Sequence, residues 1–392
     1  MDYNHLLAAK AVEIKPSGIR KFFDVAATMP DCISLGVGEP DFKTPWMIRD
    51  AGIKSLERGR TWYTSNAGLA EMRAEIAHYL ERRFDLHYDP AHEMLITVGG
   101  SEAIDIALRA LLNPGDEVIV PEPCYVSYAP LTDLAGGVAV PVPLKAENGF
   151  RLTAEELAAA ITPRTKVLVL PFPCNPTGAV MRERHLAAIA KVLEDTDIIV
   201  LTDEIYAELT YGSRHHVSIA SLPGMKERTI YINGFSKAYA MTGWRLGYVC
   251  APAPLMKIMT KIHQYAIMCA PTTSQYAGIV ALREGDEAIE AMRDEYDMRR
   301  KFLVASLNRM GLTCFEPEGA FYVFPSIAAS GLTSEEFCEK LLFGKKVAVV
   351  PGTAFGASGE GFVRISYSYS VAHLSEALAR IEEFVKECQS HA

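Results

Sequence analysis

The chain has 392 residues, room for two or three units of ordinary domain size, with 49% hydrophobic and 22% charged residues, the proportions of a globular protein with a large core. A formal net charge of −9 argues against a nucleic-acid surface. The eight cysteines are scattered, with no CxxC pair and no zinc spacing, the pattern of reduced thiols in a cytoplasmic protein. The start Met1-Asp2-Tyr3-Asn4-His5 has neither the basic residues nor the apolar stretch of a signal peptide, and no apolar run is long enough to span a bilayer.

Residues 1–30 read as an arm, broken at Pro16-Ser17-Gly18 and followed by a short helix over 19–27. An apolar run at 32–35 enters Gly36-Val37-Gly38-Glu39-Pro40-Asp41-Phe42. This GxG lacks the third glycine of a dinucleotide site, so it reads as a loop whose backbone approaches something closely. Helices are expected over 45–58 and 69–83, with Trp62-Tyr63-Thr64 and the turn Asn66-Ala67-Gly68 between them. From residue 93 the pattern alternates strand and helix. A strand at 94–98 turns through Gly99-Gly100-Ser101-Glu102 into a helix over 103–112, whose free N–H groups form an anion site. Strands follow at 118–120, 138–142 and 166–170, with helices over 125–134 and 154–160.

The strand at 166–170 runs into Pro171-Phe172-Pro173-Cys174-Asn175-Pro176-Thr177-Gly178, a loop stiffened by prolines. Asn175 reads either as a turn residue or as an amide aimed into a cleft. After a helix over 183–193, the apolar strand 198–201 ends in Thr202-Asp203-Glu204-Ile205-Tyr206. A carboxylate just past a buried strand needs a partner, unless it caps the next turn. A strand at 229–232 leads into Ser236-Lys237 and, eight residues on, Gly243-Trp244-Arg245-Leu246-Gly247. A lysine at a strand end loses its proton more easily when desolvated or placed beside other cations, and Arg245 offers a planar fork to a phosphate. That combination suits a lysine holding pyridoxal 5′-phosphate as a Schiff base, the plain alternative being a solvated lysine between two strands. Helices over 254–268 and 273–282 follow. A long charged helix over 287–310 links to a second unit, with strands at 319–324, 347–350 and 361–367 and helices over 334–342 and 371–387. Arg364 interrupts the last apolar strand, either as an edge residue or as a cleft arginine held for a carboxylate.

Taken together, Gly36 to Phe42, Asn175-Pro176-Thr177-Gly178, Asp203-Glu204-Ile205-Tyr206, Ser236-Lys237, Gly243-Trp244-Arg245 and Arg364-Ile365-Ser366 resemble the class I/II aminotransferases of the fold-type I pyridoxal-phosphate enzymes, in the family's order and over nearly the whole chain. The likeness extends to bacterial aromatic, broad-range and N-acetyl-diaminopimelate aminotransferases. It implies an α/β fold: a mostly parallel seven-stranded sheet flanked by helices, plus a smaller α+β domain. The implied division is an arm over 1–30, a large cofactor domain over 48–285, and a small domain from 31–47 with 286–392.

The resemblance implies roles residue by residue. Lys237 matches the lysine that holds the cofactor and moves the substrate proton. Asp203 would face the pyridine nitrogen, Asn175 and Tyr206 the ring oxygen, and Tyr125 would stack on the ring. Gly100, Ser101 and Glu102 would meet the phosphate through their backbone, with Ser236 and Arg245. Tyr63 would reach the phosphate of a second subunit, which implies a homodimer. Arg364 would take the substrate α-carboxylate with the Gly38 backbone nearby, and Gly18, Ile19, Phe321 and Tyr322 would shape the side-chain pocket. Ser101 stands where some aspartate-specific relatives carry a lysine, so a large hydrophobic or aromatic side chain is favoured over aspartate. The same fold and cofactor serve C–S β-lyases and cyclopropane-carboxylate synthases. A regulator with a retired site is a third reading, against which stands the presence of every catalytic residue type.

Overall fold

The computed structural model describes residues 3, 5–16, 18, 25–212 and 215–390. Ile19 lies outside the described residues, as does most of the helix expected over 19–27.

The main sheet has seven strands: β2 (Met94–Thr97), β3 (Glu117–Glu122), β4 (Val138–Pro143), β5 (Thr165–Leu170), β6 (Ile199–Asp203), β7 (Thr229–Gly234) and β8 (Gly247–Cys250), in the order β2-β8-β7-β6-β5-β3-β4. Only β8 runs against its neighbours. The central strands are apolar along nearly their whole length because helices cover both faces. Successive residues serve opposite cores. Leu95, Val169, Leu201, Ile230 and Val249 pack on one face, whereas Ile96, Tyr231, Tyr248 and Cys250 pack on the other. The edge strand β4 is mostly solvated and carries Pro141 and Pro143, residues a central strand does not tolerate.

A smaller part carries a parallel pair, β1 (Ile33–Ser34) with β10 (Val347–Ala348), and a three-stranded antiparallel sheet in the order β11-β12-β9. These three are β11 (Val350–Pro351), β12 (Val363–Ser366) and β9 (Tyr322–Val323). The single strand expected over 347–350 is therefore two, which change partner at Val349. The strand expected over 319–324 keeps only two residues, because Ala320 has a φ of +59°, which ends an extended run. The long helix Asp286–Arg309 packs into the core of this part through Met292, Tyr296, Leu303 and Leu307. The helix expected from residue 125 starts instead at Tyr128. Residues 125–127 form a turn, pinned where the Cys124 N–H donates to the Phe355 carbonyl.

Candidate active site

Ligands of open α/β sheets bind outside the carboxyl ends of the strands, and five such ends converge here. β2 delivers Gly100 and Ser101, β3 Tyr125 and Tyr128, β5 Pro171 to Asn175, β6 Asp203 and Tyr206, and β7 Ser236 and Lys237. With Gly38, Glu39, Thr242, Arg245, Tyr322 and Arg364 they line one cavity of about 550 Å³.

The helix Gly100–Leu111 begins at the cavity wall. Gly99 has a φ of +79°, and a Cβ there would lie 2.6 Å from Arg245 Nη2. Glycine is thus what lets the guanidinium rest against the helix start. Arg245 has no carboxylate partner among the described residues. Asp203, on the same cavity, is buried. Its carboxylate accepts from the Tyr128 hydroxyl at 2.8 Å and from the Ile205 N–H at 3.2 Å. Burial pushes the carboxyl up to about 6, with neighbouring Glu204 acting the same way; the two hydrogen bonds and Lys237 hold it down. Glu204 points behind the sheet end, where Ser218 and His216 each donate to it at 2.6 Å, and this fixes the strand terminus that presents Asp203.

Lys237 donates to the Gly38 carbonyl at 2.6 Å. Burial lowers its amine to about 8; the Arg364 and Arg245 charges push the same way, against Glu39 and Asp203. Gly38 must be glycine for space, since a Cβ would meet the Tyr322 hydroxyl at 2.6 Å. That hydroxyl pairs with Tyr206 Oη at 2.9 Å.

Arg364 is 2% exposed, with its guanidinium over the Tyr322 and Phe355 rings at 4.5 and 4.8 Å. It donates to Asn175 Oδ1 at 2.9 Å and to the Gly36 carbonyl. Its Nε has no partner, and no carboxylate pairs with it among the described residues. Because Asn175 spends its oxygen on Arg364, its NH₂ donors remain for whatever fills the cavity.

Of the residues picked out from sequence, Phe321 departs from its expected place, whereas Tyr63 is expected at a second subunit's site and Glu102 to act through its backbone. Phe321 is wholly buried and packs on Tyr206 and Tyr322, beneath Lys237, rather than lining the cavity. Tyr63 is 75% exposed and is not among the residues lining the cavity of its own chain. The Glu102 side chain turns back from the cavity to the Val98 N–H and His263. Ile19, as noted, is outside the described residues. Sequence reasoning missed Tyr128 as the donor to Asp203. Tyr128 lies three residues after Tyr125, across the turn that precedes the helix, and the two rings meet edge to face at 5.6 Å.

Comparison with known proteins gives a consistent answer. A family model described as aminotransferase class I and II matches residues 30–381. An aspartate aminotransferase of Pyrococcus abyssi is 49% identical, over 95% of this chain and 97% of the relative. An aromatic-amino-acid aminotransferase 2 of Thermococcus litoralis is 45% identical over 95% and 97%. The crystal structure of an aromatic aminotransferase from Pyrococcus horikoshii superposes with a TM-score of 0.90 at 46% identity, covering 94% of this chain and 99% of that one.

The cavity fits the cofactor of that family. Arg245 without a carboxylate partner among the described residues, an amine of lowered proton affinity and a buried carboxylate line the same cavity, with an aromatic wall at Tyr125. The chain belongs to the class I and II aminotransferases, and it is an enzyme that uses pyridoxal 5′-phosphate to move an amino group between an amino acid and a 2-oxo acid.

Proposed function

We propose that this enzyme works by a ping-pong cycle and favours amino acids with aromatic or large apolar side chains. The observation that carries the reading is Arg364: a buried guanidinium with an unpartnered Nε and no carboxylate beside it. A buried cation left uncompensated is costly, and a substrate α-carboxylate, taken by the planar fork, removes that cost. Gly38 would lie beside the same carboxylate.

Gly100, Ser101 and Glu102, through their backbone, and Ser236 and Arg245 would hold the phosphate, the N–H groups of the helix start acting with a hydroxyl and a guanidinium. Tyr125 would stack on the ring, Asn175 and Tyr206 would donate to the ring oxygen, and Asp203 would keep a proton on the pyridine nitrogen. When bound, pyridoxal 5′-phosphate supplies an aldehyde for the substrate amine and an electron-poor ring that accepts the electron pair released at Cα. Lys237 would take the proton from the substrate Cα and return it to the other side of the amino group. Its lowered affinity for protons suits a base that works near neutral pH. The Tyr128 hydroxyl and the Ile205 N–H keep Asp203 ionised for its task.

Among the lining residues the cations are Lys237, Arg245 and Arg364, all with roles already given, and Glu39 stands at the rim. Among the described lining residues a second carboxylate on the substrate therefore meets no further cation, whereas a large apolar side chain meets Tyr322, Tyr125, Pro171 and Pro173. Burying one is worth roughly 1.5–3 kcal/mol. The test is the half-reaction: phenylalanine and aspartate are each added to the purified enzyme, and conversion of the cofactor to its aminated form is followed by absorbance. Faster conversion per unit concentration with phenylalanine is expected. A tenfold preference for aspartate, the substrate for which the Pyrococcus abyssi relative is named, would overturn the pocket reading.

The enzyme is proposed to act as a homodimer in the cytoplasm. Exposed Trp62 and Tyr63 adjoin exposed Tyr265, Ile267 and Met268. Asn66 Nδ2 donating to the Met268 carbonyl and Thr272 Oγ1 to the Trp62 carbonyl join the two segments. An apolar face of this kind suits a second copy, and Tyr63 on it would reach the neighbour's phosphate. The proposed division is a large domain over 48–285 and a small one from 31–47 with 286–392, the cavity lying between them.

A further inference from the structure

The helix Gly100–Leu111 offers its free N–H groups to the cavity, yet its own first turn carries a carboxylate, Glu102. A glutamate there is drawn to the same N–H groups that an anion would use. It does not reach them. One oxygen accepts from the Val98 N–H, which precedes the helix, and the other accepts from His263 Nδ1.

His263 comes from the helix Ala253–Ala266 and is completely buried. Around it, Met256 and Met259 of its own helix pack with Ile104 and Ala107 of the Gly100–Leu111 helix. Its Nε2 has no hydrogen-bond partner among the described residues. A polar ring in an apolar seam, with one of two nitrogens unpaired, costs stability. Nδ1 is the ring nitrogen turned to Glu102, and Nε2 is the one left in the apolar seam. Its single contact of consequence is with Glu102, and none of the chemistry assigned to the cavity uses it.

We propose that His263 is a positioning residue that holds the Glu102 carboxylate away from the phosphate seat, so that the chain's own anion does not compete with the cofactor's. The inference rests on the phosphate seat proposed above. It makes a distinctive demand: the harm done by losing His263 comes from the freed charge on Glu102, so neutralising that charge must undo it.

The test is the affinity of the full-length enzyme for pyridoxal 5′-phosphate, by equilibrium dialysis, with inorganic phosphate as a competing anion. His263→Leu removes the donor in a residue of similar volume and should weaken cofactor binding roughly tenfold, the scale of one hydrogen bond to a charged group. His263→Asn keeps an N–H where Nδ1 lies and should stay close to wild type. The double variant His263→Leu with Glu102→Gln should recover most of the loss, because a neutral amide does not compete for the seat. Glu102→Gln alone should bind the cofactor at least as tightly as wild type, and it keeps the test decisive where His263→Leu does not fold. A double variant no tighter than His263→Leu, or a Glu102→Gln enzyme tenfold weaker than wild type, overturns the proposal. Arg245→Ala separates the two levels. If it weakens binding while His263→Leu does not, only the positioning role is lost; if it leaves binding unchanged, the phosphate seat is misplaced and the positioning role falls with it.

Discussion

Replacing Lys237 with methionine should make the cofactor-free protein more stable at neutral pH, and the gain should fade as the pH rises. The amine is lowered from 10.5 to about 8, with burial the largest cause. The unfolded chain keeps this proton to about 10.4, whereas the folded chain releases it near 8. Between those values the unfolded state holds more protons, so stability rises with pH across that window. Below about 8 the whole penalty of housing the cation is present, and above the unfolded value it is gone. One pH unit of displacement corresponds to about 1.4 kcal/mol, which puts the penalty on the order of 3 kcal/mol. Methionine has similar length and no charge, but it leaves the Gly38 carbonyl without its donor, a loss of about 1 kcal/mol. The net gain is then roughly 2 kcal/mol near neutral pH. Urea unfolding of the two cofactor-free proteins from neutral pH to about 10.5 measures it. A variant less stable than its parent at neutral pH, or a difference that stays level across the range, refutes the reasoning.

Asp203→Asn should keep the cofactor and lose about 10²–10³-fold in turnover, the scale seen when other preorganised electrostatic groups are removed; turnover within twofold of wild type would move the electron-sink role elsewhere. Tyr128→Phe takes a donor from a carboxyl that already sits at about 6. That carboxyl should rise further, and the acidic limb of the pH profile of kcat/KM should move up with it, so an unshifted limb disconnects Tyr128 from the charge on Asp203. Mixing Tyr63→Phe with Lys237→Ala protein tests the dimer. If Tyr63 serves the neighbouring site, one site of each hybrid carries both lesions and the other carries neither, and activity rises above both parents. Proven subunit exchange without recovery would assign Tyr63 to its own chain.

The alternation of apolar strands with helices, and the punctuation after them, was enough to order the main sheet's elements along the chain. Gly99-Gly100-Ser101, Pro171 to Gly178, Asp203-Glu204-Ile205-Tyr206 and Ser236-Lys237 each follow a strand, and parallel strands end on the same side. Local spacing therefore marked the residues that gather at one sheet edge. In the smaller part the strands are too short for spacing to bound them, because their pairing depends on Val349 changing partner and on Ala320 taking a positive φ.

Side-chain direction is where sequence reading stopped and tertiary structure decided. Phe321 and Tyr322 are neighbours in sequence, yet the alternation of an extended segment sends Tyr322 to the cavity and Phe321 into the core beneath Lys237. Glu102 sits among cavity residues in sequence, but a histidine 161 residues away draws its carboxylate off. The proton affinities of Asp203 and Lys237 are likewise properties of burial and of charges brought from distant strands. Residue type and local order place a group at the end of a strand; what it faces, and how readily it holds a proton, is set by atoms that only the folded chain brings near.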